Sequence, residues 1–279
     1  MEELRLCTDF KKKARYHFLI VSPSKRRFKG YLKILKYILF AQLLIFVNLL
    51  SAHDAETNKP FEKMHAHRTF NAHAHAGWES RYFSEGRDAL NGKSFWNSSL
   101  ELGYDHLSGG VWYGRSSNHQ YDEWQYNVAL SQEIEGYSFY AGYTHLIFTK
   151  DNESDDEWSA GISYDGLPYD LITSLDACYS IDAQGTFFEW SNTREFNFRE
   201  DLDFSLSGTL GWNEGYVSDG HSGLNFFSLR SGVEKMLSEN FSLAGHGVYS
   251  WAIDPDLNLA GDQGLKDFFH FGLGVEYKF

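Results

Sequence analysis

The stretch that decides the fold is the last one, Phe269-His270-Phe271-Gly272-Leu273-Gly274-Val275-Glu276-Tyr277-Lys278-Phe279. Every second residue from Phe269 to Phe279 is apolar, and the residues between them are small or polar. Side chains of a β-strand point alternately to two faces, so one face of this strand meets something oily and the other meets water. The same alternation recurs upstream. Leu202, Phe204, Leu206, Gly208, Leu210 and Trp212 stand against Asp203, Ser205, Ser207, Thr209 and Asn213. Trp124, Tyr126, Val128 and Leu130 alternate with Gln125, Asn127 and Ser131, and Phe241, Leu243, Tyr249 and Trp251 with Ser242, His246 and Ser250. Each segment runs about ten residues. That is the length of a tilted strand crossing a bilayer, whereas strands of soluble sandwiches average roughly five or six.

Extending the pattern gives twelve strands, at 74–84, 93–104, 110–116, 123–132, 137–148, 157–165, 171–181, 186–198, 202–216, 224–235, 241–252 and 267–279. Tight connections (Asp105–Gly109, Glu133–Gly136, Arg199–Asp201, Leu237–Asn240) alternate with longer polar ones (Glu85–Gly92, Thr149–Asp156, Val217–Gly223, Ile253–Lys266). This short-long rhythm with an even strand count is that of an antiparallel transmembrane β-barrel with short inner turns and long outer loops. Trp96, Trp124, Trp158, Trp212 and Trp251 all fall at the strand end nearest a longer loop, where an aromatic girdle belongs. Proline, which removes a ladder donor, stays out of every strand: Pro60 lies before them, Pro168 in a turn and Pro255 in a loop. The alternative all-β architecture is a large acidic sandwich, with shorter strands and less regular connections.

Composition fits one greasy and one wet face. Aromatic residues make up 17% of the 279 residues and Gly numbers 25, yet the mean hydropathy is -0.44. The first 52 residues read differently. A basic block (Lys25, Arg26, Arg27, Lys29, Lys33, Lys36) leads into the largely apolar run Ile34–Leu50, followed by small residues. This is the layout of a secretory signal with an extended n-region, cleaved near Ala52 or Ala55; a retained N-terminal anchor is the competing reading. Its removal takes away 11 basic and 3 acidic residues and moves the formal charge from -13 to -21. Such an acidic chain repels nucleic acid and attracts cations. Cys7 leaves with the signal, so Cys178 stands alone, with no intrachain disulfide and no cysteine zinc site. The domain expectation is therefore a signal at 1–52, a His-rich periplasmic tail at 53–73 and the barrel at 74–279. No cofactor is called for.

If the apolar faces meet lipid, the opposite faces present Glu79, Arg81, Glu101, Asp176, Arg230, Glu234, His246 and Glu276 to a lumen that a barrel of this width fills partly with water. Such charges sort small polar solutes, or they pair with one another and hold the barrel's shape. His65 and His67, and His73 and His75, form two His-x-His pairs whose imidazoles project to one side of an extended chain, a weak metal-binding pattern against the alternative of a solvated tail. In Asp219-Gly220-His221-Ser222-Gly223, adjacent His221 and Ser222 hint at a hydrolase, but nucleophilic catalysis needs a base that reaches the hydroxyl and a third group to orient it. Asp151, Glu153, Asp155, Asp156 and Glu157 read as a solvated acidic loop that binds divalent ions weakly beside lipopolysaccharide.

The ending Val275, Tyr277, Phe279, with apolar residues at every second place before it, resembles the C-terminal signal by which the barrel assembly machinery recognises bacterial outer-membrane proteins. The segment Trp78-Glu-Ser-Arg-Tyr-Phe-Ser-Glu-Gly-Arg87 and the stretch Gly109-Gly-Val-Trp-Tyr-Gly114 resemble openings of uncharacterised proteobacterial outer-membrane proteins of the porin-like kind. Size and strand count are similar to those of the twelve-stranded nucleoside-specific channels, a likeness of architecture that transfers no binding residues. The resemblance implies a Gram-negative outer-membrane porin, not an enzyme, passing small polar solutes and touching outer-membrane lipid and lipopolysaccharide. Two other functions compete: a barrel enzyme acting on lipid or surface glycan, and a structural or adhesive barrel whose lumen is plugged, the reading that gains if the loop Ile253–Lys266 folds inward and fills the pore.

Overall fold

In the computed structural model, residues 70–279 are described. The signal segment and its cleavage, Pro60, and the pair His65 and His67 lie outside the described residues. The strands in chain order are β1 (Phe70–Glu79), β2 (Phe83–Ser84), β3 (Arg87–Asp88), β4 (Phe95–Tyr104), β5 (Leu107–Ser116), β6 (Asp122–Ile134), β7 (Tyr137–Phe148), β8 (Glu153–Leu167), β9 (Leu171–Ser180), β10 (Gly185–Arg199), β11 (Leu202–Glu214), β12 (Gly223–Met236), β13 (Phe241–Ala252) and β14 (Phe268–Lys278). Twelve of them form one closed antiparallel barrel in which β1 pairs with both β4 and β14; β2 and β3 make a separate hairpin. The fold is all-β, as the alternation implies.

Closure follows from where the polar backbone can go. Inside a bilayer an unpaired edge leaves N–H and C=O groups without water, at several kcal/mol each, so a sheet crosses only if it joins its own ends. The seam runs from His73 opposite Lys278 to Glu79 opposite Gly272, and the Phe279 N–H donates to the Ala72 carbonyl at 3.0 Å beyond it. Across this seam Trp78 faces Leu273 and Ala76 faces Val275 on the outer surface. Outward large apolar side chains are correspondingly open, with Leu273 62% and Leu130 61% exposed. That is the reverse of a sandwich core. In lipid, each is worth about 1.5–3 kcal/mol relative to water. The five girdle tryptophans all take the outward register at the long-loop end; Trp96 stands opposite Arg115 and Trp158 opposite Tyr179.

Three of the tight turns at the other end use left-handed backbone, at Asp105, at Glu135 with Gly136, and at Tyr169 with Asp170. Between β6 and β7, Glu135 (φ 51°) and Gly136 (φ 82°) form a two-residue hairpin, whose twist matches that of the flanking strands. The strand bounds differ from the sequence reading most in three places. β1 begins at Phe70 and ends at Glu79, so His73 and His75 sit in the barrel wall and Arg81 lies past the strand's end. β8 starts at Glu153, which leaves only 149–152 as loop and puts most of the acidic run on a strand. Asp155 and Glu157 turn inward there, while Asp156 turns outward to accept hydrogen bonds from Tyr143 (2.5 Å) and His145 (2.7 Å). Ladder pairing with β7 outweighs the solvation of these carboxylates. Gly109 and Gly110, read as turn and strand start, both lie within β5, which begins at Leu107.

The seam register is open to a direct check. In a Cys178→Ser background, Trp78→Cys with Leu273→Cys, directly opposite across β1 and β14, should form an intramolecular disulfide on mild oxidation of the folded barrel. Trp78→Cys with Val275→Cys, out of register by one pair, should cross-link far less, read as gel mobility after unfolding without reductant.

Candidate functional site

Register assigns the lumen. Facing inward near the tight turns are Glu101, Glu234 and Glu276, together with His73; His75, Asp176, Arg230 and His246 face inward at mid-barrel, and Glu79 at the long-loop end of β1. Glu276 accepts from the His73 Nδ1–H at 3.2 Å, and Asp176 accepts from the Tyr140 hydroxyl at 2.9 Å and from Ser174 at 3.1 Å. Glu101 and Arg230 are exposed to the lumen. Two carboxylate pairs meet across the ladder: Asp176 opposite Glu189, and Asp203 opposite Glu234. Directly opposed like charges weaken a sheet. Arg81 takes no part in this wall. Its guanidinium binds Asp88 within the loop that follows β1.

That loop, residues 80–94, folds into the barrel and fills its outer end. Tyr82 stacks on the inward Phe95 (centroids 4.3 Å apart) and donates to Glu123 on β6 at 3.0 Å. Phe83 packs edge-on to Phe226 at 5.3 Å and stacks on the His270 ring at 5.2 Å. Gly86, with φ 80°, lies so close over the Phe226 ring that a Cβ would collide with it. Arg87, only 7% exposed, is the centre of the assembly. It donates to the carbonyls of Gly261 (2.6 Å) and Glu85 (2.7 Å) and to Asp262 (3.2 Å); the Asn225 amide oxygen, in the orientation its surroundings require, accepts from both terminal nitrogens at 2.7 and 3.0 Å. A buried guanidinium is tolerated because its donors are so occupied.

Two other outer loops complete the plug. In the loop 253–267, Leu265 is buried against Phe187 and Phe226, and Gly264 accepts from the Asp88 N–H at 3.0 Å. In the loop 215–222, the Tyr216 hydroxyl donates to Glu157, and His221 Nδ1–H donates to Asp262 at 2.6 Å while its Nε2 lies 2.9 Å from the Leu224 carbonyl. Both nitrogens of His221 are thus engaged with groups other than Ser222, and no His–Ser pair of the kind a hydrolase uses is formed here. The lone Cys178 faces the lumen and donates to Glu157 at 3.3 Å.

The plug carries opposed titrations. Burial lifts the Glu85 carboxyl above the usual glutamate range; Ser84 and Arg87 oppose this and the charges of Glu157 and Glu123 add to it. Burial likewise lifts the Tyr82 and Tyr216 hydroxyls, so both remain donors. At Asp262 burial disfavours the charge, but the Asp256 N–H and the His221 ring and N–H together hold its carboxyl below the usual aspartate range.

Of the plug residues the sequence singled out His221, Glu157 and Arg81, each for another role, while Tyr82, Phe83, Arg87 and Asp262 were assigned none. A signal existed: Phe95, Phe187, Phe226 and Phe268 are aromatic at inward positions near the outer end, where a water-filled lumen would leave them stranded. Among the described residues, Glu79, His246 and His270 bring three ligand-type atoms within 4.8 Å of one another.

No protein-family model matches the chain, and no curated protein matches it. Solved structures match in fold. The KdgM porin superposes with a TM-score of 0.51 at 8% identity, over 76% of this chain and 99% of the porin. The NanC porin gives 0.48 at 11% identity over 74% and 98% of the two chains, and an outer-membrane channel from Pseudomonas putida F1 gives 0.45 at 10% over 75% and 95%. At such identities the first likeness is one of fold alone. The chain has the fold of an outer-membrane, porin-like β-barrel channel.

Removing one partner of the buried Arg87–Asp262 pair leaves the other charge uncompensated, at about 3–5 kcal/mol. Arg87→Ala should therefore release the loops 80–94 and 253–267 to protease while the barrel still shows its folded gel mobility. The wild-type plug should also respond to pH with two signs. The contribution of Glu85 is full below the ordinary glutamate range and is lost as pH rises through its raised folded value. That of Asp262 is full above the ordinary aspartate range and is lost as pH falls through its depressed one. Amide protection factors in these loops, which divide out the intrinsic pH dependence of exchange, should be highest in mild acid, and Glu85→Gln should flatten only the neutral side of the profile.

Proposed function

We propose that the chain is a porin-like channel for small polar solutes, selecting cations, whose outer mouth is narrowed by the inserted loops. The observation that carries this reading is the pair of carboxylate pairs on the lumen wall, Asp176 with Glu189 and Asp203 with Glu234, facing one another across the ladder. Around them stand Glu101, Glu133 and Glu195, against Arg230 and Lys278 as the inward cations of the strands. Facing carboxylates of this kind stabilise a passing cation and repel anions. A polar, solvent-accessible inner half together with lipid-facing apolar rings supports a wet conduit over a solid core. Outer-membrane lipid and lipopolysaccharide cover the outer face in this reading.

A plugged structural barrel is the second reading, favoured by the dense packing around Arg87 and Phe226. The two separate in planar bilayers. The channel reading predicts single-channel conductance with a cation-biased reversal potential in a salt gradient, reduced toward neutrality in Asp203→Asn with Glu234→Gln. Larger conductance in Arg87→Ala than in the wild type would mark the plug as the constriction. A pure folded barrel that stays silent both intact and as Arg87→Ala, or that favours anions, would overturn the proposal.

A further inference from the structure

Near the outer end of the seam, three inward side chains are set as ligands around a gap left by a glycine. Glu79 on β1 is opposite Gly272 on β14, and Gly272 is opposite His246 on β13, so the three positions form one row across three strands. A Cβ on Gly272 would collide with both carboxylate oxygens of Glu79. The absence of a side chain there lets the carboxylate lie across β14 and reach the far strand, where His246 Nε2 is 3.1 Å from Glu79 Oε2. His270, two residues along β14 on the same face, brings its Nδ1 to 3.8 Å from the same oxygen. The two imidazoles meet edge to face, with centroids 6.0 Å apart.

A second observation points to a missing partner. His270 is 5% exposed, and neither of its ring nitrogens has a hydrogen-bond partner. Imidazole carries two polar nitrogens that burial normally satisfies. Here Phe83 covers one face of the ring and Phe268 lies beside it, while the carboxylate toward which Nδ1 points stands too far for a hydrogen bond. A cation between the three groups would bind a ring nitrogen of His270 directly.

We propose that Glu79, His246 and His270 form a binding site for a borderline divalent transition cation, of which Zn²⁺ is the type. Two neutral imidazoles and one carboxylate are the donor set such ions take, and three protein ligands leave a fourth position open for water or a solute atom. The site lies at the root of the plug, because the chain leaves the wall after Glu79 and Phe83 rests on His270. It is separate from His73, which pairs with Glu276 toward the other end of β1. It does not depend on conduction, and a barrel that never conducts tests it equally.

The test uses the folded barrel protein, stripped with chelator and titrated with Zn²⁺ alone. One ion per barrel is expected, with X-ray absorption showing a nitrogen and oxygen first shell near ~2.0–2.2 Å. Affinity should fall on the order of tenfold or more in Glu79→Gln, His246→Gln and His270→Gln, and in Gly272→Ala, where the carboxylate is displaced. It should persist in a variant carrying Gln at positions 65, 67, 73 and 75. Folded gel mobility is checked for each variant. Should the ligand variants misfold, Co²⁺ added to the wild type should still give the intense visible bands of a low-coordinate site. Failure of the wild type to bind stoichiometrically, or loss of binding only in the variant at 65, 67, 73 and 75, would overturn the assignment.

Discussion

The pairing of the first strand with the last is the constraint on which everything else depends. In hydrocarbon a free strand edge has no water to satisfy it. The hydrogen bonds between β1 and β14 therefore decide whether the sheet can reside in a bilayer at all. They also set the phase of the molecule. Once Trp78 stands opposite Leu273 on the outside, Gly77 and Gly274, His75 and Glu276, and His73 and Lys278 stand opposite one another on the inside. With side chains alternating at a period of two, a slip of one residue at this seam would turn the acidic wall to lipid and the aromatic rings to water.

Closure creates an interior that the chain treats in two ways. Toward the tight turns it leaves charged and hydroxyl side chains exposed to water. Toward the long loops it fills the space with protein, and there the ordinary rules of a soluble core return. Phe226 and Leu265 are 0% and 1% exposed, and Arg87, the one buried guanidinium among the described residues, has its donors occupied by carbonyls, an amide and a carboxylate. The plug is thus held by contacts from three separate loops and by the strand ends beneath them.

This division explains what was legible in the sequence. Strand existence and strand face were readable because lipid imposes the same alternation on every strand, and Leu202–Glu214 or Phe268–Lys278 carries it without help from distant residues. Ends were less readable. β1 extends back to Phe70 because β4 offers partners there, and β8 recruits Glu153 because β7 does; neither cause is local. The plug was legible only as an alternative, through the loop Ile253–Lys266, and the share of residues 80–94 in it was not. Residues 80–94 and 253–267 are short of regular structure and rich in polar and glycine residues, which reads as solvent-exposed loop. What turns them inward is the cluster of inward phenylalanines, and these are recognisable as inward only after register is known.

The same reasoning shows why the ligand-like cluster lies where it does. Glu79 and His246 are 167 positions apart in the chain, and only the seam makes them neighbours. A barrel's first and last strands are its least local pairing, with the greatest loop-closure entropy to overcome. A contact that spans β1, β14 and β13 at once adds to that pairing from the lumen side, independently of the backbone ladder. Glycine at position 272 makes the span possible, since any side chain there would separate the carboxylate from the imidazole it reaches. The residue reads in sequence as one more small inward position of the terminal strand. In the folded barrel it is the gap through which the two ends of the chain are joined by side chains as well as by backbone.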